Sequence, residues 1–338
     1  MTTHSIQIGA LRCVVLGASG FLGRNLCEYL YSCGVAVKAF SRSRIPGAEN
    51  DRYIWILGDF RNECRVAEAI RGADVVFHLV GATTPGSSNQ DVLADAEANL
   101  VPSIRFLQSC VREGVKRVVF VSSGGTVYGE PQATPIPEDH PTDPLCAYGI
   151  SKLAVEKYLA LYERLSGLVG IALRVSNPYG PYQTGANGQG VIGTFIAKSL
   201  AGEVLEIWGD GTVVRDYIFV RDVVEALVIA ATYDGPARVF NIGSGIGVSI
   251  NEIVSAVGKA TDSSPRVSYR SRRSVDVCKS VLDCRLAERE LGWVCKTPLT
   301  EGISASVQWY RERDGLSRNH RDVSSFCSSK QEFENGNA

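Results

Sequence analysis

The seven residues Gly17-Ala18-Ser19-Gly20-Phe21-Leu22-Gly23 constrain this chain more than any other segment, because of what stands on either side of them. Before them, Leu11 to Leu16 is almost continuously apolar and reads as a strand buried on both faces. After them, a helical pattern runs from about Leu22 to Ser32. Glycines in such a strand–turn–helix allow a tight turn, close approach of the backbone to a pyrophosphate, and near packing of helix on strand. The helix start then offers N–H groups and a partial positive charge to the phosphates. A glycine triplet alone is weak evidence for a dinucleotide; its place at the head of an alternating pattern gives it weight.

That pattern continues. Val35–Phe40, Tyr53–Leu57, Ala73–Leu79 and Val115–Val121 read as further strands, with a helix from about Asp95 to Glu113. SKLAVEKYLALYERL, after Tyr148, reads as a helix stopped by Gly167, and Val169–Val175 as the next strand. Asn177-Pro178-Tyr179-Gly180-Pro181 has the composition of a turn. The expected class is α/β, a doubly wound parallel sheet with helices on both faces. Residues 1–180 are expected to form the dinucleotide-binding domain, with a later strand returning from about 215–245. Residues 181–312 would mainly form a smaller C-terminal α/β lobe for substrate, and 313–338 a disordered tail.

Composition excludes the extremes. Thirty-five basic residues against thirty-six acidic ones leave a net charge of −1. That balance speaks against nucleic-acid binding by phosphate neutralisation and against a polybasic membrane clamp. Ten cysteines occur with no CxxC pair and no histidines at zinc spacing, so reduced, mostly buried thiols and no metal site are expected. With no leader pattern and no apolar run near the ~20 residues of a membrane span, the expectation is a soluble, cytoplasmic protein.

The end of the second strand bears on which dinucleotide is preferred. An acid there suits the ribose hydroxyls of NAD and a base suits the phosphate of NADP. Phe40-Ser41-Arg42-Ser43-Arg44 has no acid, which leaves NAD or NADP open with a lean to NADP. Asp59 could bond the adenine amino group or cap the following helix. His78 ends an apolar strand and reads as a core histidine rather than a catalyst. Tyr148 and Lys152 stand four residues apart at a helix head, on one face. A phenol with a pKa of about 10 is a poor base at neutral pH, and a nearby ammonium favours its ionised form.

GASGFLG at Gly17, SSGGTVYG from Ser122, YxxxK at Tyr148, NPYGP at Asn177, GDGTVVRDYIFVRDV from Gly209, NIGSG at Asn241 and RSVDV from Arg273 together carry a likeness. They resemble the extended short-chain dehydrogenase/reductase family, and within it the nucleotide-sugar epimerase/dehydratase branch, over about Arg12 to Tyr310. The resemblance implies a Rossmann-type domain, Tyr148 as acid/base and Lys152 as its partner and ribose ligand. The family's usual serine or threonine falls at Gly124, so Ser123 and Thr126 are the nearby substitutes.

For the cofactor, the resemblance implies Gly17, Gly20, Phe21, Leu22, Gly23, Ser41, Arg42, Asp59, Phe60, Leu79, Val80, Gly81, Asn99, Tyr148 and Lys152. For a nucleotide-diphosphate sugar it implies Thr126, Asn177, Val191, Arg215, Arg273 and Asp276, with Asp216 and Asp222 read as structural partners of the arginines. A dehydratase's Asp-Glu pair is replaced by Gly125 and Thr126. A UDP-hexose or UDP-N-acetylhexosamine 4-epimerase of sugar-nucleotide or polysaccharide metabolism is therefore expected, with Gly124 and Gly125 leaving room for a sugar to turn. A UDP-4-keto-sugar reductase is the alternative, a non-catalytic dinucleotide sensor a remote one, and a homodimer the family habit.

Overall fold

The computed structural model describes residues 8–44, 52–184, 190–271 and 277–313. β1 (Cys13–Leu16), β2 (Val37–Ser41), β3 (Ile54–Leu57), β4 (Val75–His78), β5 (Arg117–Ser123), β6 (Val169–Val175) and β10 (Val239–Ile242) build one seven-stranded sheet in the order β10-β6-β5-β4-β1-β2-β3. Every pairing in it is parallel. Alternate residues of β1 enter two different cores. Cys13 and Val15 meet Leu26, Cys27 and Leu30 of α1 (Phe21–Ser32). Val14 and Leu16 join Phe106, Leu107 and Cys110 of α4 (Val101–Arg112). Burial of both faces is why the strand reads as an unbroken apolar run.

α1 and α7 (Val220–Thr232) cover one face of the sheet, while α2 (Glu63–Ile70), α4 and α5 (Ala147–Ser166) cover the other. The strand order turns outward in both directions between β1 and β4, so a crevice opens beyond their carboxyl ends. α5 stops where expected, on Gly167 in a left-handed conformation at φ 75°. Its middle is pinned to the sheet through Glu156, which accepts from Arg174 Nη2 on β6 at 2.7 Å and from Ser122 Oγ on β5.

Two elements differ from the sequence expectation. The helix expected over 95–113 is three pieces, α3 (Val92–Asp95), a π-helical turn Ala96–Leu100, and α4. Val101 N–H donates to Ala96 C=O, five residues back, so the turn is one residue wider than an α-turn. Asn177–Tyr179, expected as a turn, is the short strand β7, paired to β9 (Val214–Phe219). Pro178 is tolerated because β7 makes no other pairing and needs no donor there.

β9 is the centre of a smaller sheet with β11 (Gly247–Ser249) and β13 (Lys279–Ser280), and β8 (Leu205–Trp208) pairs with β12 (Val267–Arg270). α6 (Val191–Leu200), α8 (Ile250–Thr261), α9 (Arg285–Leu291) and α10 (residues 299–313) complete the described residues. Of the stretch 215–245, β10 is the strand that returns to the main sheet, while 214–219 stays in the smaller one. The tail expected beyond Arg313 lies outside the described residues. Among the described residues no helix is long and apolar enough to cross a membrane, and all nine cysteines are free thiols, of which Cys13, Cys27 and Cys110 are fully buried.

Candidate active site

The glycine turn leaves β1 at Gly17, whose φ of +88° disfavours any side chain. A Cβ there would also stand 3.2 Å from the Leu79 carbonyl carbon, and one on Gly23 would overlap the Gly17 carbonyl group. Gly20 caps α1 with no side-chain bond, and no acid stands in the first turn that opens with Phe21 and Leu22. This is a cradle shaped for an anionic group, and it fits a dinucleotide pyrophosphate. Leu79 continues from β4 beside it, its N–H donating to Leu16 C=O at 3.1 Å, and exposed Gly81 follows half-buried Val80.

At the tip of β2, the Ser41 hydroxyl donates to the Ser43 carbonyl and Arg42 is exposed. Asp59 does not cap α2; Asn62 does, accepting from Arg65 N–H at 3.2 Å. Asp59 instead accepts from the Arg61 guanidinium at 2.8 and 3.0 Å, and this bond holds its carboxyl down at about 2. Phe60 packs its ring 4.8 Å from that of His78, which is buried with Nε2 3.0 Å from Ser103 Oγ. Ser103 Oγ donates onward to Asn99 C=O at 2.5 Å, so Nε2 carries the imidazole proton. Burial drives the His78 pKa down to about 3, which suits a neutral core residue.

Tyr148 lies in the first turn of α5 and Lys152 one turn later. Lys152 Nζ donates to Val121 C=O at 2.8 Å, 4.7 Å from the centre of the Phe120 ring and 5.6 Å from that of Tyr148. Burial lowers Lys152 to about 8, against the pull of Asp95 and Glu156. Burial raises Tyr148 to about 12, with Cys146 and Asp95 pushing the same way. The lowering of the phenol expected from its lysine is therefore not seen in this state, where desolvation sets the direction. Val80, Asn99, Tyr148 and Lys152 line one small cleft with Ser103 and Phe120.

The structure gives a reason for the missing hydroxyl. A Cβ on Gly124 would lie 2.5 Å from Leu282 Cδ1, so Gly124 offers no room for a turning sugar, whereas Gly125 faces open space. Ser123 ends β5, half-buried. Thr126 packs against Gly149, the neighbour of Tyr148, and its buried Oγ1 has no hydrogen-bond partner among the described residues.

Asn177, Val191 and Arg215 line a cavity of about 310 Å³ with Phe195, Trp208 and Tyr217. Arg215 Nη1 donates to Val277 C=O at 2.7 Å, and Asn177 Nδ2 to Asp216 C=O at 2.8 Å. Arg273 and Asp276 lie outside the described residues. Asp216 and Asp222 are structural; Arg273, one of the arginines expected to pair with them, lies outside the described residues. Asp216 takes the Ser244, Gly245 and Leu282 N–H groups, and Asp222 those of Lys296 and Thr297. Sequence reasoning passed over Asp95 and Ser151, which bond each other beside Lys152; the spacing of Asp95 four residues before Asn99 was the one local signal.

Known proteins resemble this chain in sequence and fold. A curated UDP-glucose 4-epimerase of Mycolicibacterium smegmatis is 34% identical over 311 residues, covering 90% of this chain and 99% of its own. A dTDP-4-dehydro-6-deoxyglucose reductase of Escherichia coli is 28% identical, covering 88% and 97%. The crystal structure of Thermotoga maritima UDP-glucose 4-epimerase with UDP-glucose superposes with a TM-score of 0.86 at 32% identity, covering 90% and 99%. The sequence pattern of one family matches residues 13–243, and with it the glycine cradle, the Tyr148–Lys152 pair and the sheet that carries both: the chain belongs to the NAD dependent epimerase/dehydratase family.

Proposed function

We propose that this enzyme of nucleotide-sugar chemistry is a UDP-hexose or UDP-N-acetylhexosamine 4-epimerase that oxidises C4 transiently. The observation that carries the reading is the 310 Å³ cavity in the smaller lobe, where Asn177, Val191 and Arg215 come together from three separate elements. A guanidinium and a carboxamide in a chamber lined mainly by aromatic and aliphatic residues, with Glu206 the one acid among them, suit a diphosphate attached to a flat base. Gly17, Gly20 and Gly23 would hold NAD by its pyrophosphate, with Val80, Asn99 and Lys152 lining the cleft that would take its nicotinamide end. Bound NAD supplies a hydride acceptor and one positive charge at its nicotinamide.

Tyr148, as phenolate, takes the proton of the C4 hydroxyl as C4 gives up its hydride, and returns it to the same oxygen after the turned keto-sugar regains hydride on the opposite face of C4. Lys152 supplies an ammonium that favours the phenolate and a donor for the ribose. Thr126 fills the role of the family's missing hydroxyl, because its Oγ1 is the buried one left without a partner beside the Tyr148 turn. Gly125 leaves the space in which the sugar turns. The acids a dehydratase needs at 125 and 126 are absent. The enzyme works as a cytoplasmic homodimer through the helix pair that includes α5, whose Ile150, Leu161 and Leu165 are exposed.

A second reading, a 4-keto-sugar reductase, is favoured by the Escherichia coli relative and by exposed Arg42 where NAD enzymes place an acid. Purified protein incubated with UDP-glucose or UDP-N-acetylglucosamine decides between them. Interconversion with the C4 epimer, no net reduction of added dinucleotide, and its abolition in Tyr148→Phe are expected. Stoichiometric consumption of NADPH with a 4-keto sugar, and no epimerisation, would overturn the reading.

A further inference from the structure

Asp95 is the most completely buried carboxylate near the cleft, with no exposed surface. Its side chain accepts from Thr83 Oγ1, from Asn99 Nδ2 at 3.1 Å, and from Ser151 Oγ at 2.6 Å. These three donors come from the loop after β4, from the π-helical turn, and from α5. Asn99 Oδ1 accepts in addition from Ala82 N–H at 2.8 Å, so the same carboxylate braces the loop that continues from Val80 and Gly81. The wide turn begins immediately after Asp95, and an inserted π-turn is a recurrent device for aiming one residue into a site. Here it lets Asn99 bond the Asp95 side chain and the Asp95 carbonyl together.

A buried carboxylate held only by neutral donors is costly unless a counter-charge stands near. The cation beside it is Lys152, the residue after Ser151. We infer that Asp95 is a positioning residue, which fixes Lys152 through Ser151 and supplies the buried negative charge that keeps Lys152 an ammonium.

Of the other groups around Lys152, Glu156 also pulls toward the ammonium, but less than Asp95 does. Glu156, on the same helix, is already bonded to Arg174 and Ser122. His78, on β4, is neutral, and so is Tyr148 in this state. The Val121 carbonyl is a dipole with no net charge. Asp95 also works against its own phenol, since negative charge there raises Tyr148. The arrangement therefore favours cation at Lys152 at the expense of phenolate at Tyr148 until a positively charged ligand arrives.

The inference rests on Lys152 as the partner of Tyr148 but needs no substrate for its test. Full-length protein carrying lysine labelled with ¹³C at Cε is titrated by NMR, with the Lys152 signal assigned by its loss in Lys152→Met. In Asp95→Asn, which is nearly isosteric, Oδ1 can still accept from Thr83 and Asn99 while Nδ2 donates to Ser151 Oγ in place of the original bond, and the Lys152 midpoint should fall by about one pH unit. A midpoint within a few tenths of a unit of the parent's, about 0.3, overturns the inference. Should Asp95→Asn fail to fold, the double variant Asp95→Asn/Lys152→Met should fold, because the unbalanced ammonium is gone. A double variant that also fails to fold counts against the charge pairing. A parent enzyme that epimerises nothing, with the NMR shift intact, sinks the functional reading alone; normal epimerisation with no shift sinks this inference alone.

Discussion

Leu282 occupies the space that a side chain at Gly124 would need: an added Cβ would stand 2.5 Å from Leu282 Cδ1 and 3.0 Å from the Arg174 carbonyl oxygen. Two segments more than 150 residues apart thus decide which position can carry the site's hydroxyl. Restoring a serine there should destabilise the protein by about 1–3 kcal/mol through overpacking. Leu282→Ala makes the room, so Gly124→Ser should cost far less in that background than in the parent. Urea unfolding of the four proteins in the cycle measures it, and strict additivity would show that Leu282 is not the obstacle.

The hydroxyl that remains can be identified by two conservative changes. Thr126→Val keeps the shape and removes the unpartnered Oγ1, and turnover should fall about 100-fold, in the range for a lost acid–base or polar contact. Ser123→Ala should stay within about threefold of the parent, a change of less than 1 kcal/mol in the barrier. The reverse ranking of kcat values would move the role to Ser123.

The Glu156–Arg174 pair joins α5 to β6 with both side chains 5% exposed or less. Arg174 Nη1 reaches on to Tyr128 Oη at 2.9 Å, which donates to Asn241 Oδ1 at 2.6 Å, so one network links α5, β6, the VYG segment and β10. Glu156→Gln leaves a buried guanidinium without its counter-ion and should cost about 3–5 kcal/mol. The Tm should drop by roughly 5–15 °C. A variant melting within about 2 °C of the parent, less than 1 kcal/mol, would mean the pair is replaceable.

His78 sets a pH dependence of stability whose sign is fixed. Its pKa falls from the ordinary 6.5 to about 3 on folding. Between those values the unfolded chain binds the extra proton and the folded one does not. Its contribution is therefore whole above pH 6.5 and declines on acidification towards pH 3, at up to about 1.4 kcal/mol per pH unit. His78→Gln, which keeps a donor for Ser103, should remove this part of the slope between pH 6.5 and 4. Parallel slopes for the two proteins in urea titrations would contradict it.

Much of the fold is legible in residue order because local physics settles it. The apolar run Cys13–Leu16, the glycine turn and the helix after it form together, since buried strands, free helix N–H groups and residues lacking a Cβ leave one arrangement. Tyr148 and Lys152 share a helix face for the same reason: a four-residue spacing on one helix needs no partner. The π-turn at Ala96–Leu100 and the strand at Asn177–Tyr179 escaped that logic, because their hydrogen bonds are decided by Asp95 and its contacts and by β9, not by composition.

The alternating architecture and the tyrosine, lysine and glycine residues at its head are properties of short segments and can be read from residue order. The electrostatics and steric limits of the site come instead from what the folded chain packs around each group. Burial raises the Tyr148 phenol, Leu282 forbids a side chain at 124, and Asp95 meets Ser151 across 56 residues of chain. Desolvation and excluded volume depend on everything that surrounds a group, and a linear order of residues does not state what surrounds it.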